Sequence, residues 1–292
     1  MKTSSPQPLP QAPLDRVRLL LLDLDGTALD ERGRLSPALL VALRALRGRV
    51  AYTFVTARSP RMIQVYCAQA GISGPVITLD GGLVLDWNSR RKLACRPIEP
   101  DTALFLMQLC HRLGLEFTFY TAQSGYFPRN TGRLDRFLQF NCQAAAMGLP
   151  PMPCLFYEAY SPQELAREGI LRIDIKKPRE EGTCSALMEQ LNACPQLRAA
   201  ASGHSSLSIT HRQAGKGAAA EFLRSYLGLE REEICAFGDH WNDVDMFQAS
   251  GCPVAMGNAP RGVQQKARYV TLPNTQDGVA WFLNQFLPRA EA

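Results

Sequence analysis

The chain of 292 residues is 46% hydrophobic and 20% charged, and 32 Lys and Arg against 27 Asp and Glu give a formal net charge of +5. That apolar fraction excludes a wholly disordered protein, and no apolar run of about 18 residues marks a membrane span. Without a block of basic residues or an aromatic-basic pattern, the positive balance points to no nucleic-acid partner; it suits an anionic small molecule equally well.

At about 150 residues per domain the length allows two domains. The opening MKTSSPQPLPQAPLD has four prolines, one Lys and no apolar stretch, so residues 1–16 are expected to be a disordered tail and not a secretory signal. The aliphatic run 17–22, closed by Asp-Leu-Asp-Gly-Thr, reads as a buried strand of a parallel sheet. Ser36-Pro37 pairs an N-cap with a proline at the first helical position, Leu39, Leu43 and Leu46 keep helical spacing, and Gly48 stops the helix. Residues 50–55 form a second strand, Ser59-Pro60 starts a second helix that Gly71 ends, and 75–79 form a third strand. This alternation of strand and helix predicts an open α/β sheet.

The rhythm changes after Gly81-Gly82. Residues 83–86 and 92–95 read as a hairpin, 101–113 as a helix, 116–121 as a strand, 169–175 as another strand and 184–191 as a helix. Residues 123–153, rich in Gly, Pro and Asn, give no clear assignment. From Gly215 the α/β rhythm returns, with a helix over 217–227, strands at 234–237 and 253–256 and a short helix between them. The fold class expected is therefore α/β, a Rossmann-like parallel core split by an inserted α+β module. The core would take residues 17–83 and 209–292, and the insert 84–208.

In open α/β sheets ligands bind beyond the carboxyl ends of the strands. Those ends here carry Asp23 and Asp25, then Thr56, then Asp239, Asn242 and Asp243, while Lys216 opens the helix of the resumed core. Crowded carboxylates repel one another unless a cation lies among them, and oxygen-only ligands suit a hard ion such as Mg²⁺. Lysine, a hydroxyl and a helix N-terminus complement a phosphoryl group better than a carbonyl or a hydride acceptor.

These residues closely resemble the four motifs of the haloacid dehalogenase superfamily of phosphohydrolases. Asp23-Leu-Asp-Gly-Thr27 is similar to the first, Thr56 to the second, Lys216 to the third, and Gly238-Asp239 with Asn242-Asp243 to the fourth. Val254-Ala-Met-Gly-Asn258-Ala and Asp277-Gly-Val-Ala280 resemble the Cof-like subfamily, in which a large α/β cap that sets substrate choice interrupts the core. The resemblance implies that Asp23 is the nucleophile, forming an aspartyl-phosphate, and Asp25 the acid and base. It implies that Mg²⁺ is held by Asp23, the Asp25 carbonyl and Asp239, with Asp243 behind them, and the phosphate by Thr56, Lys216, Asn242 and Asn258. An acid/base at position 25 favours rapid turnover, as in phosphatases, over the long-lived intermediate of the superfamily's ATPases.

The function expected is a cytoplasmic Mg²⁺-dependent phosphatase of a small phosphorylated metabolite, such as a sugar phosphate, with no membrane or nucleic-acid partner. A phosphomutase of the same superfamily and a non-catalytic phospholigand-binding protein are the alternatives. The oligomeric state is not legible. Two departures stand out: Asp80-Gly81-Gly82 occupies the place of the usual Asn-Gly, and His240-Trp241 is uncommon within the fourth motif, where its ring could bound the leaving-group pocket. Arg58 is expected on the surface or in a salt bridge. Nine scattered cysteines with no CxxC spacing read as reduced thiols.

Overall fold

A computed structural model of the protein describes residues 16–129, 131–132, 134–202 and 206–286. The expected tail, residues 1–16, lies outside the described residues apart from Arg16. The first strand, β1 (Leu19–Leu22), is four leucines buried on both faces, as a central strand of a doubly covered sheet must be. In α1 (Pro37–Leu46) the Ser36 hydroxyl accepts from the Leu39 N–H at 3.0 Å. Next come β2 (Ala51–Phe54) and α2 (Pro60–Ala70), which Gly71 closes in the left-handed region at φ 68°. The strand β3 (Pro75–Thr78) leads into an antiparallel hairpin of β4 (Leu83–Asp86) and β5 (Lys92–Cys95).

The middle of the chain runs α3 (Pro100–Arg112), β6 (Phe117–Tyr120), β7 (Gly125–Phe127), α4 (Leu134–Ala146), β8 (Cys154–Phe156), α5 (Pro162–Ala166), β9 (Arg172–Lys176), α6 (Glu181–Asn192), β10 (Leu197–Ser202) and β11 (Ser206–His211). It then continues through α7 (Lys216–Leu227), β12 (Ile234–Gly238), α8 (Val244–Gln248), β13 (Cys252–Ala255), α9 (Arg261–Gln264), β14 (Tyr269–Val270) and α10 (Gly278–Phe286). Residues 123–153, which the sequence pattern leaves open, contain β7 and α4. The inward positions of the helix, Phe137, Phe140 and Ala144, keep helical spacing, but the glycines and prolines that crowd the residues on either side of it obscure the pattern.

Two main sheets result. The first is parallel, in the order β14-β13-β12-β1-β2, and the Val55–Ile77 bridge carries it on to the β3-β4-β5 sheet. On one face Leu20 and Leu22 pack with Phe54, Phe237 and Phe282; on the other, Leu19 and Leu21 pack with Ala236 and Phe247. The second sheet runs β10-β11-β9-β6-β7-β8 and is antiparallel except where β7 meets β8. Its strands alternate: Phe117, Phe119 and Tyr126 face the core shared with α3, α5 and α6, while Tyr120 and Phe127 face α4. Through α4 and the segment after it, the second sheet sits on α2: Tyr66 and Phe140 rings lie 6.2 Å apart, and Gln64 Nε2 donates to the Pro150 carbonyl at 2.5 Å.

Candidate active site

The carboxyl edge of the parallel sheet gathers the polar groups. Asp23 follows β1 directly, and its side chain is only 6% exposed. The turn beyond it needs Gly26 twice over: its φ is 82°, and a Cβ there would run into the Asp239 carboxylate, so the backbone closes on the loop after β12 only without a side chain. Lys216, at the start of α7, is 2% exposed and donates from Nζ to Asp23 Oδ1 at 2.5 Å and to Asp243 Oδ1 at 2.6 Å. The second oxygen of Asp243 accepts the N–H groups of Asp239 at 3.0 Å and His240 at 2.9 Å. Thus both oxygens of Asp243 are spent on shaping the loop and seating the lysine. Thr27 Oγ1 and Asn258 Nδ2 each reach Asp239 at 3.4 Å.

Burial pushes the Asp23 carboxyl well above the ordinary carboxylate range, Lys216 pulls it back, and the charges of Asp243 and Asp239 push it up again. Burial, with the neighbouring Asp243, raises Asp239 to about 7. Lys216 goes the other way: burial opposes its charge, yet Asp23 and Asp243 hold the proton more firmly than in water. Carboxylate oxygens of Asp23, Asp239 and Asp243 lie within 4.8 Å of one another. One lysine faces three carboxylates, all of the donors are oxygen, and the excess negative charge is what a divalent hard cation would neutralise. The residues present fit such an ion.

The other expected site residues are placed as follows. Asp25 is bound in a fork by Arg58, with Nε to Oδ2 at 2.8 Å and Nη2 to Oδ1 at 2.6 Å. The guanidinium is 8% exposed and the carboxylate 49%. Arg58 is therefore the ion-pair partner, not a surface residue; Nη1 also donates to the Tyr66 hydroxyl at 2.9 Å. Thr56 is buried, and its Oγ1 accepts from the Arg58 N–H at 3.2 Å. Asn242 Nδ2 donates to Asp80 at 3.1 Å, and Asn258 Nδ2 donates to the Gly26 carbonyl at 2.9 Å. Trp241 is 53% exposed, with its ring against Gly262 of α9.

Sequence reasoning missed Arg172 and Ser208. Arg172 donates to the Ala57 carbonyl at 2.6 Å and pairs with Asp80 and Asp174. The alternation of Arg172, Asp174 and Lys176 with Ile173 and Ile175 reads as a solvent face, but its first residues face the loops of the parallel sheet. No helix among the described residues is long and apolar enough to cross a membrane.

A family model of haloacid dehalogenase-like hydrolases matches residues 20–283. A putative phosphatase of Haemophilus influenzae is 28% identical over 268 residues, covering 91% of this chain and 97% of its own. The pyridoxal phosphate phosphatase YbhA of Escherichia coli is 26% identical, covering 92% and 98%. A haloacid dehalogenase-like hydrolase structure from Bacillus subtilis superposes with a TM-score of 0.78 at 24% identity, covering 93% of this chain and 100% of that one. With a Rossmann-like parallel core, an inserted cap and the acidic edge in place, the chain belongs to the haloacid dehalogenase-like hydrolases, in the Cof-like group that its motifs resemble.

Proposed function

We propose that the protein is a Mg²⁺-dependent phosphatase that hydrolyses a small phosphomonoester, a sugar phosphate or a similar metabolite, through an aspartyl-phosphate on Asp23. The observation that carries this reading is the buried Asp23–Lys216–Asp243 array beside Asp239. Lys216 occupies one oxygen of Asp23 and leaves the other to attack phosphorus in line. Asp25 gives its proton to the departing oxygen of the substrate, and then takes one from the water that attacks the phosphorus of the acyl-phosphate, freeing Asp23 and phosphate. For that exchange Asp25 turns off the Arg58 fork, which holds it ionised, and takes up a proton from solvent, to which its side chain is half exposed. Lys216, Thr56, Asn242 and Asn258 surround the phosphoryl oxygens. Asp23, Asp239 and the Asp25 carbonyl would hold the cation, with Asp243 fixing the loop; when bound, it neutralises the charge that builds on the transferring group.

The relatives support the substrate class: YbhA is named for pyridoxal phosphate, a small phosphorylated compound. We assign catalysis to residues 17–83 and 209–292 and substrate choice to 84–208. The pairing of β4 with β3, and of β11 with the second sheet as far as His211, favours junctions a few residues later at each crossing. Nine free cysteines support a reducing, cytoplasmic setting. The test is release of phosphate from 4-nitrophenyl phosphate in Mg²⁺. Asp23→Asn is expected to abolish it and EDTA to silence the unaltered chain; turnover near the starting level by Asp23→Asn would remove the mechanism.

A further inference from the structure

The turn between β3 and β4 holds a carboxylate that the chemistry above leaves unused. Leu79, Asp80 and Gly81 all have positive φ, at 53°, 53° and 83°, a conformation that persists in leucine only where the surroundings impose it. Here the Leu79 N–H donates to the Arg58 carbonyl at 3.0 Å and the Asp80 N–H to the Thr56 carbonyl at 3.1 Å. Gly81 is needed because a Cβ there would overlap the backbone of Gly215. The turn is thus wedged between the loop after β2 and the entry to α7.

So held, the Asp80 side chain collects donors from three places. Arg172 Nη1 of β9 at 3.1 Å and Ser208 Oγ of β11 at 3.2 Å meet Oδ2, and Asn242 Nδ2 meets Oδ1 at 3.1 Å. The carboxylate is 15% exposed and Arg172 5%. Thr56 and Asn242, both placed at the phosphate above, are therefore bonded to one residue, through its N–H and its carboxylate respectively. A carboxylate only accepts hydrogen bonds, so Asn242 must turn its NH₂ group toward Asp80, which leaves the second N–H for an anionic oxygen. An asparagine at position 80, the usual residue of the Cof-like pattern, can accept from or donate to that amide and imposes no such choice. It would also leave Arg172 with one carboxylate partner fewer.

We infer that Asp80 is a positioning residue: it fixes which end of the Asn242 amide meets the phosphate and ties that choice to the seating of β9 and β11 on the core. The inference rests on the phosphatase reading. Steady-state kinetics of the full chain with 4-nitrophenyl phosphate in Mg²⁺, with inhibition by inorganic phosphate, test it. Asp80→Ala and Asn242→Ala are each expected to raise KM and the phosphate inhibition constant about tenfold with kcat within about threefold. The double variant should show the same loss of about tenfold, not about a hundredfold, because one interaction is removed twice. Thermal melting shows which variants are folded. Should Asp80→Ala not fold, Asp80→Asn, which keeps the volume and one acceptor, carries the same comparison with a rise of about fivefold that vanishes in the Asn242→Ala background. A purely structural Asp80 would lower the Tm and leave KM and the phosphate constant untouched, which overturns the inference, as does additivity. A wild-type chain that releases no phosphate overturns the phosphatase reading itself; an active wild type with unmoved Asp80 variants overturns the inference alone.

Discussion

Lys216 carries one positive charge between two carboxylates at 2.5 and 2.6 Å, with Asp239 nearby and only partly compensated. Groups that are raised in the folded chain, as Asp23 and Asp239 are, bind protons more tightly folded than unfolded. Their contribution to stability is present below the unfolded carboxylate range and is lost as pH rises through the folded values, which for Asp239 is about 7. Carboxylates held low, such as Asp80 under Arg172 and Lys216 despite burial, change their contribution only within and below the ordinary carboxylate range. Between these limits the metal-free chain is expected to melt at a lower temperature as pH rises, which scanning calorimetry in EDTA from pH 5.5 to 8 would read; a flat profile would mean that Asp239 is already ionised at pH 5.5. Arg58 gives a second residue-level expectation. Arg58→Lys keeps the charge but loses the fork from which Asp25 must turn, and kcat on 4-nitrophenyl phosphate should rise by about threefold; a fall would show that the fork itself positions Asp25 for the reaction. The acidic edge was legible because Asp23, Asp239 and Asp243 follow the ends of β1 and β12, and Lys216 because it opens the helix of the resumed core. Arg58 was only half legible, since a salt bridge was foreseen and its burial was not. Arg172 was hidden because alternation tells faces apart but not which face is wet.

At the level of elements, the strands and helices of the parallel core follow from short aliphatic runs punctuated by Ser-Pro starts and glycine stops. The second sheet was harder to read because its cohesion is aromatic and partly non-local: Phe119 stacks at 4.5 Å on Tyr126, its partner across the β6–β7 hairpin, but Phe117 stacks at 4.7 Å on Tyr157, far along the chain. The helix α4 illustrates the difficulty. Its buried face is defined by contacts the linear pattern cannot show, Phe137 with Phe127 at 4.7 Å and Phe140 with Tyr66 of α2 at 6.2 Å. Phe137→Ala is therefore expected to cost about 3–4 kcal/mol in urea unfolding, as large core truncations do. A loss under about 1 kcal/mol would mean that α4 rests loosely on its sheet.

For the molecule as a whole, a cation that binds only the folded chain stabilises it by mass action. Mg²⁺ at about a hundred times its dissociation constant should add about 2.7 kcal/mol, visible as a rise in Tm that Asp239→Asn removes. The overall division, a parallel core interrupted by an inserted cap, was legible from motif order; the interlock between them through Asp80 and Arg172 was not, since neither partner predicts the other along the chain. Motif order has a further consequence for how the molecule is made. β1 pairs on one side with β2, its near neighbour, and on the other with β12, and the lysine that steadies Asp23 lies 193 positions downstream. During synthesis the four leucines of β1 emerge long before the strand that covers their open edge has been translated, while the second sheet, contiguous in the chain, is complete first. Until β12 arrives, a hydrophobic strand edge stands unpaired, open to another nascent copy or to a chaperone. The separation that lets one sheet edge collect its chemistry from both halves of the chain is also the interval of greatest exposure to misassembly.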